Sequence, residues 1–167
     1  MISIGIPAAG RDTKLLNCIE SIDLNTKADY EFIVIDNSKK SILKQGRLLK
    51  NDVKVIRPEM PLSPSASREL IGSVANSEYI LYIDEDMTVS KDSIDQLLNF
   101  LKENSDVSIV GGLLIEGLYE YPVAYKFGFG GKTNQKNIWK IPIMKDSLSK
   151  IDIDNCESDF VHPPFLI

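Results

Sequence analysis

Short apolar runs alternate with amphipathic stretches over the first two-thirds of the chain. Ile2 to Ile6 reads as a strand stopped by Pro7. Asp12 or Thr13 suits the cap of a helix whose apolar positions Leu15, Leu16, Ile19 and Ile22 share one face. Phe32 to Ile35 forms a second buried strand ending at Asp36, and a weaker helix is expected near 41–50. Val53 to Ile56 is a third strand. Ser63 then offers an N-cap with Pro64 at the first helical position, for a helix reaching about Ala75. Tyr79 to Ile83 is a fourth apolar run and ends in Asp84-Glu85-Asp86. Ser90 is the expected cap of another helix, whose Ile94, Leu97, Leu98 and Leu101 follow the i, i+3, i+4, i+7 spacing. A further strand is expected over Val107 to Ile115.

Strands that alternate with helices in this way predict an α/β fold, a mostly parallel sheet with helices on both faces. In such sheets ligands bind beyond the carboxyl ends of the strands. The segments Pro7 to Arg11, Asp36 to Ser38 and Asp84 to Asp86 should therefore line one edge. After Ile115 the pattern loosens. Tyr119, Tyr121, Tyr125, Phe127 and Phe129 suggest irregular strands or a hairpin, and the glycines at 128, 130 and 131 a loop. No repeat, low-complexity tract or linker divides residues 1–167, so a single domain is expected. Residues 1–115 would form its ligand-binding half and 116–167 the start of a second half.

Composition removes some function classes. The net charge of -5 argues against a nucleic-acid partner, which needs clustered lysine and arginine. Cys18 and Cys156 are too few and too far apart for a disulfide framework or a zinc site. The opening Met-Ile-Ser-Ile-Gly-Ile-Pro lacks the basic start and long apolar run of a signal peptide, and no stretch reaches the length of a membrane span. A cytoplasmic location is expected, with peripheral docking on a membrane left open.

The candidate chemistry lies in the acidic cluster. With 14 Asp in the chain, about one Asp-x-Asp arises by chance, so the pattern alone says little. Two occur, Asp84-Glu85-Asp86 and Asp152-Ile153-Asp154. The first follows a buried strand that would deliver its carboxylates to the ligand edge. Adjacent acids repel unless a cation or water screens them. Hard divalent ions such as Mn²⁺ or Mg²⁺ take carboxylate oxygens and leave positions for a diphosphate. The plain alternative is a solvated acidic turn near a helix start. The second Asp-x-Asp reads as the solvent face of an edge strand.

At this point the chain resembles the family 2 inverting glycosyltransferases of the GT-A fold. Ile4-Gly5-Ile6-Pro7 with Arg11 is similar to that family's opening strand and nucleotide loop, and Val34-Ile35-Asp36-Asn37-Ser38 to its second strand. Ala66-Ser67-Arg68-Glu69-Leu70-Ile71-Gly72 resembles its Ala-Arg-Asn-x-Gly helix, with Glu69 in place of the asparagine. Ala75 through Asp86 resembles its strand and metal motif. The resemblance implies that Pro7, Ala8, Ala9 and Arg11 line a nucleotide pocket, that Asp36 accepts a hydrogen bond from the base, and that Arg68 sits near base or phosphates. Asp84 and Glu85 would lie near the nucleotide and sugar, and Asp86, with Asp84, would ligate Mn²⁺ or Mg²⁺.

The implied reaction transfers a sugar from a nucleoside-diphosphate sugar to a hydroxyl of a sugar, lipid or protein acceptor, with inversion. In the family the catalytic base lies well downstream of the metal motif, past a strand that Phe160 to Ile167 would represent. It is therefore expected beyond Ile167, with Glu157 and Asp159 as weaker candidates and a C-terminal truncation implied. His162 and Trp139 read as packing or loop residues. Three rival readings remain. One is a non-catalytic donor-binding module. Another is a haloacid dehalogenase-type phosphatase using Asp84-Glu85-Asp86-Met87-Thr88. The third is a nucleotidyltransferase, for which only Gly10-Arg11 speaks.

Overall fold

A computed structural model of the chain describes residues 1–40, 53–111, 113–118, 121–126 and 165–167. Its elements are β1 (Ile2–Ala8), α1 (Asp12–Asn25), β2 (Tyr30–Asp36), β3 (Val53–Ile56), α2 (Pro64–Val74), β4 (Ile80–Tyr82), α3 (Ser93–Glu103), β5 (Val110–Gly111), β6 (Leu113–Leu118), β7 (Tyr121–Lys126) and β8 (Phe165–Leu166). One sheet has the order β3-β2-β1-β4-β8-β5, and β6 and β7 pair as a separate antiparallel hairpin. β3, β2, β1 and β4 run parallel, while β8 is antiparallel to both β4 and β5. The expected helix at 41–50 lies outside the described residues, as do Trp139, Asp152, Asp154, Glu157, Asp159 and His162.

Helices cover both faces. Even-numbered residues of β1 (Ile2, Ile4, Ile6, Ala8) join Phe32, Val34, Leu81 and Ile83 in a core closed by α1 and α3. On the opposite face Ile71 of α2 packs with Ile33, Ile35 and Tyr82. A Cβ on Gly5 would come 2.4 Å from Ile71 Cγ2, so the missing side chain lets α2 lie directly on β1. In α1 the buried stripe is Leu15, Cys18, Ile19 and Ile22, with Leu16 only half-buried. Cys18 completes the i, i+3, i+4, i+7 series that starts at Leu15, and Leu16 falls beside it.

Three local expectations are corrected. β1 passes through Pro7 to Ala8 instead of stopping. Ser3 N–H and the Gly5 carbonyl bond toward β4, and alternation turns the Pro7 nitrogen the same way. β4 ends at Tyr82, opposite Gly5, so the donor that proline lacks falls where no ladder partner is needed. Arg11, not Asp12 or Thr13, stands at the cap of α1, without a side-chain cap bond; its side chain is engaged across the sheet edge. α3 begins at Ser93, after a left-handed Asp92 with φ 59°, and the Ser90 carbonyl accepts from the Ser93 amide and hydroxyl. Ser63 caps α2 as expected, its hydroxyl accepting from the Ala66 amide at 3.2 Å.

Glu31 ties three segments together at the opposite edge. Its carboxylate accepts from Ser3 Oγ (2.6 Å), the Asn76 amide (2.8 Å) and Asn76 Nδ2 (2.8 Å). Burial pushes its pKa up, but these bonds and the charge of Lys54 outweigh it and hold the value below 4.5. The folded state thus binds this proton less readily than the unfolded chain. The stabilisation is complete above about pH 4.5 and is lost as pH falls through the lower folded value. Glu31→Gln is expected to cost about 1 kcal/mol, a melting shift of roughly 2–4 °C at pH 7, and to shrink the loss between pH 5 and pH 3. Thermal melts across that range check it; equal acid sensitivity in both proteins would contradict it.

Candidate functional site

The carboxyl ends of β1, β2, β3 and β4 meet at one edge of the sheet. The chain goes from β1 outward to β2 and β3, then crosses to β4 on the other side of β1. That reversal makes a crevice between the ends of β1 and β4, where open α/β sheets bind their ligands.

The β1–α1 loop and the acidic turn after β4 are bound together there. Glu85 is buried at 1% exposure and accepts from the Ala9 amide (3.1 Å) and Arg11 Nε (2.7 Å). Arg11 also donates through Nη1 to Asp86 Oδ2 at 2.6 Å, and Lys14 Nζ stands 3.8 Å from the same oxygen. The pKa of Arg11 is raised, chiefly by its hydrogen bond to Glu85, with the charges of Asp86 and Glu85 adding. Gly10 adopts φ +96° and a Cβ there would sit 2.9 Å from Ser38 Cβ, so glycine lets this loop close against the end of β2.

Asp84 and Asp86 point outward, with side chains 34% and 33% exposed. Arg68 of α2 reaches Asp84 Oδ1 through Nη2 at 3.3 Å, while its Nε is buried with no hydrogen-bond partner. Each outer carboxylate therefore has an arginine on one oxygen. Behind them, the Cys18 thiol packs under the Asp84 carbonyl at 3.8 Å. Burial, with the nearby charges of Asp86, Asp84 and Glu85, pushes its pKa up to about 12, which leaves it a neutral packing group.

Two strands away lies a cleft of about 200 Å³ lined by Asp36, Asn37, Ser38, Lys39, Arg57, Pro58, Glu59 and Pro61. Asp36 Oδ1 accepts from the Ser38 amide (3.0 Å) and the Ser38 hydroxyl, and Oδ2 from Arg57 Nη1 (2.9 Å). Arg57 Nη2 donates to the Ser38 carbonyl at 2.7 Å. Asn37 bridges to α2 and its approach, donating to Ser67 Oγ (3.1 Å) and accepting from the Leu62 amide (2.9 Å). The first part of α2 thus joins the cleft, through Ser67, to the acidic turn, through Arg68.

The structure brings together Ala9, Arg11, Arg68, Asp84, Glu85 and Asp86, with Pro7 and Ala8 on the strand beneath. Asp36 belongs to the neighbouring cleft, whose walls include neither Asp84 nor Asp86. Glu85 supports the loop instead of facing solvent. The sequence reading passed over Arg57, although it follows β3 directly and the end of a parallel strand is where a ligand-facing residue is sought. It also left out Lys14.

A divalent cation can be set against these donors. Among the described residues no three His, Cys, Asp or Glu side chains group to hold a metal. Asp84 and Asp86 nonetheless suit an ion that takes one or two carboxylates and completes its shell with phosphate oxygens and water, the usual Mg²⁺ pattern. They do not form an all-protein cage.

The model of the family described as "Glycosyl transferase family 2" matches residues 3–147. Among curated proteins, the poly(ribitol-phosphate) beta-glucosyltransferase of Bacillus spizizenii is 34% identical over 116 residues, covering 65% of this chain and 18% of that protein. An uncharacterized glycosyltransferase of Haemophilus influenzae is 22% identical over 110 residues, 66% of this chain and 37% of its own length. The chain therefore spans well under half of these relatives. Among solved structures, residues 1–349 of S. aureus TarS match with a TM-score of 0.54 at 21% identity, over 62% of this chain and 33% of that one. The same protein in complex with UDP-GlcNAc matches with a TM-score of 0.55 over 62% of this chain and 32% of that one. No helix among the described residues is long and apolar enough to cross a membrane.

Proposed function

Since the chain belongs to glycosyl transferase family 2, we propose that it forms the donor-binding part of an enzyme transferring a sugar from a nucleoside-diphosphate sugar to an acceptor hydroxyl with inversion. The observation that carries this reading is the pairing of two outward carboxylates, Asp84 and Asp86, with two arginines at the strand-order reversal. Anionic and cationic groups side by side suit a metal-chelated diphosphate, which offers both a cation and anionic oxygens. The same fold holds UDP-GlcNAc in TarS.

In this reading Asp86, with Asp84, holds Mn²⁺ or Mg²⁺. That ion, when bound, acts as a Lewis acid for the negative charge on the departing diphosphate. Arg11 and Arg68 turn from the carboxylates to phosphate oxygens, and Glu85 keeps the Arg11 loop in place. The base ring enters the cleft at the end of β2 and β3. The acceptor oxygen attacks the anomeric carbon as its bond to the diphosphate breaks, and the acceptor's proton passes to a carboxylate. We assign that last role to none of Asp36, Asp84, Glu85 and Asp86, which are engaged with arginines or amides. The donor is a UDP, GDP or dTDP sugar, and the acceptor is a hydroxyl of a sugar, lipid or protein. The phosphatase reading is set aside, because the family match runs through Asp84 to Thr88.

A thermal-shift titration of UDP, GDP and dTDP, with and without Mn²⁺, tests the proposal. At least one nucleotide is expected to stabilise the protein more with Mn²⁺ than without. A folded sample that responds to none of them contradicts donor binding. Binding without sugar transfer by the full-length protein would support a non-catalytic module instead.

A further inference from the structure

The Asp36 carboxylate is sealed: its side chain has 0% exposure, whereas that of Arg57, lying across it, has 42%. We infer that Arg57 is the specificity-determining residue of the cleft, donating from its guanidinium to an acceptor atom on the base, and that Asp36 is a positioning residue acting through it. This rests on the donor-binding reading above.

The geometry supports that division of roles. Arg57 commits Nη1 to Asp36 Oδ2 and Nη2 to the carbonyls of Ser38 (2.7 Å) and Lys39 (3.4 Å). A guanidinium carries five N–H donors in a rigid fork, more than these contacts use. Anchored on three acceptors at the end of β2, it cannot swing as a free surface arginine does. A base N–H could reach Asp36 only by displacing Arg57. It would then put a neutral donor in place of a cation against a buried carboxylate, which is unfavourable because the buried charge loses its counter-ion. The guanidinium therefore stays, and the ligand meets it.

Position points to the base and not the phosphates. Arg57 follows β3, and the acidic turn follows β4, three strands away, roughly 14 Å at ordinary strand spacing. Arg11 and Arg68 already stand at the acidic end. The cleft of about 200 Å³ is smaller than the roughly 300–1,000 Å³ of pockets that enclose a drug-sized molecule, so it takes one ring system of a longer ligand.

Isothermal titration of UDP, GDP and dTDP, and of inorganic pyrophosphate as a base-free probe, into four proteins with Mg²⁺ tests this. The proteins are wild type, Arg57→Met, Asp36→Asn and the double variant. Arg57→Met is expected to bind the preferred nucleotide about tenfold more weakly, from the loss of a hydrogen bond to a charged donor, with pyrophosphate affinity unchanged. Asp36→Asn is expected to weaken binding in the wild-type background and to add nothing in the Arg57→Met background. Wild-type or tighter nucleotide binding by Arg57→Met would overturn the inference, because Arg57 would then only cover Asp36. A further loss from Asp36→Asn in the double variant would overturn it too. If Arg57→Met does not fold, Arg57→Lys decides: it keeps a cation on Asp36 but loses the fork, so undiminished nucleotide affinity there overturns the assignment. Wild type binding pyrophosphate but no nucleotide defeats the base-reading role. Wild type binding neither defeats the donor-binding reading itself.

Discussion

Asp86→Ala is expected to remove most of the gain in nucleotide affinity that Mn²⁺ provides, a loss of about 10–100-fold or more. Removing groups that merely orient metal ligands already costs that much, and Asp86 is placed as a ligand. The fold should barely notice. Asp86 is one-third exposed and its partners Arg11 and Lys14 are about half exposed, so their ion pairs contribute roughly 0–1 kcal/mol. Without metal the sign reverses: nucleotide should bind the variant as well as or better than wild type, because a negative charge beside the phosphates is gone and Arg11 is released to them. Calorimetric titration with Mn²⁺ and with a chelator reads both signs. Equal affinities for the two proteins in Mn²⁺ would show that Asp86 holds no metal.

The largest effect on stability is expected from Gly5→Ala. The new Cβ would lie 2.4 Å from Ile71 Cγ2 and 2.9 Å from Cδ1, well inside contact distance. Cγ2 sits one bond from the Ile71 Cβ, so it yields only if the rotamer changes or α2 lifts from the sheet. Overpacking of this kind costs about 1–3 kcal/mol, here about 2–12 °C of melting temperature for a chain of this size. Lifting α2 also shifts Ser67 and Arg68, so donor binding should weaken along with stability. Ile71→Ala, which opens a cavity in the wild type, should cost less in the Gly5→Ala background. Additive losses in the double variant would mean that the two side chains do not collide.

Much of this architecture was legible because it is written locally. Short apolar runs located β1 to β4, period-3.6 spacing and cap residues located α1 to α3, and the order strand-helix-strand implied a parallel sheet. The corrections come from non-local contacts. Pro7 is tolerated inside β1 only because β4 is short, and Arg11 leaves its capping role because Glu85 and Asp86 draw it across the sheet edge. A strand within 160–167 was expected, but its insertion between β4 and β5 as an antiparallel strand depends on pairing no local pattern encodes.

The site divides in the same way. Asp84, Asp86 and Arg11 were readable from their placement after strands, and Arg68 from the resemblance of residues 66–72 to the family's helix. Glu85 was grouped with Asp84 as a residue near the nucleotide, whereas the turn after β4 places it inward, where the Ala9 amide and Arg11 Nε hold it. Asp36 was expected to meet the ligand itself. The guanidinium that covers it arrives from 21 residues away, and only the pairing of β2 with β3 brings the two together.

The most direct test is a crystal structure with a nucleoside diphosphate and Mn²⁺ bound. The account requires the base in the cleft beside Arg57 and the diphosphate with its metal at Asp86, within reach of Arg11 and Arg68. Nucleotide density anywhere other than across the ends of β1 to β4 would contradict it.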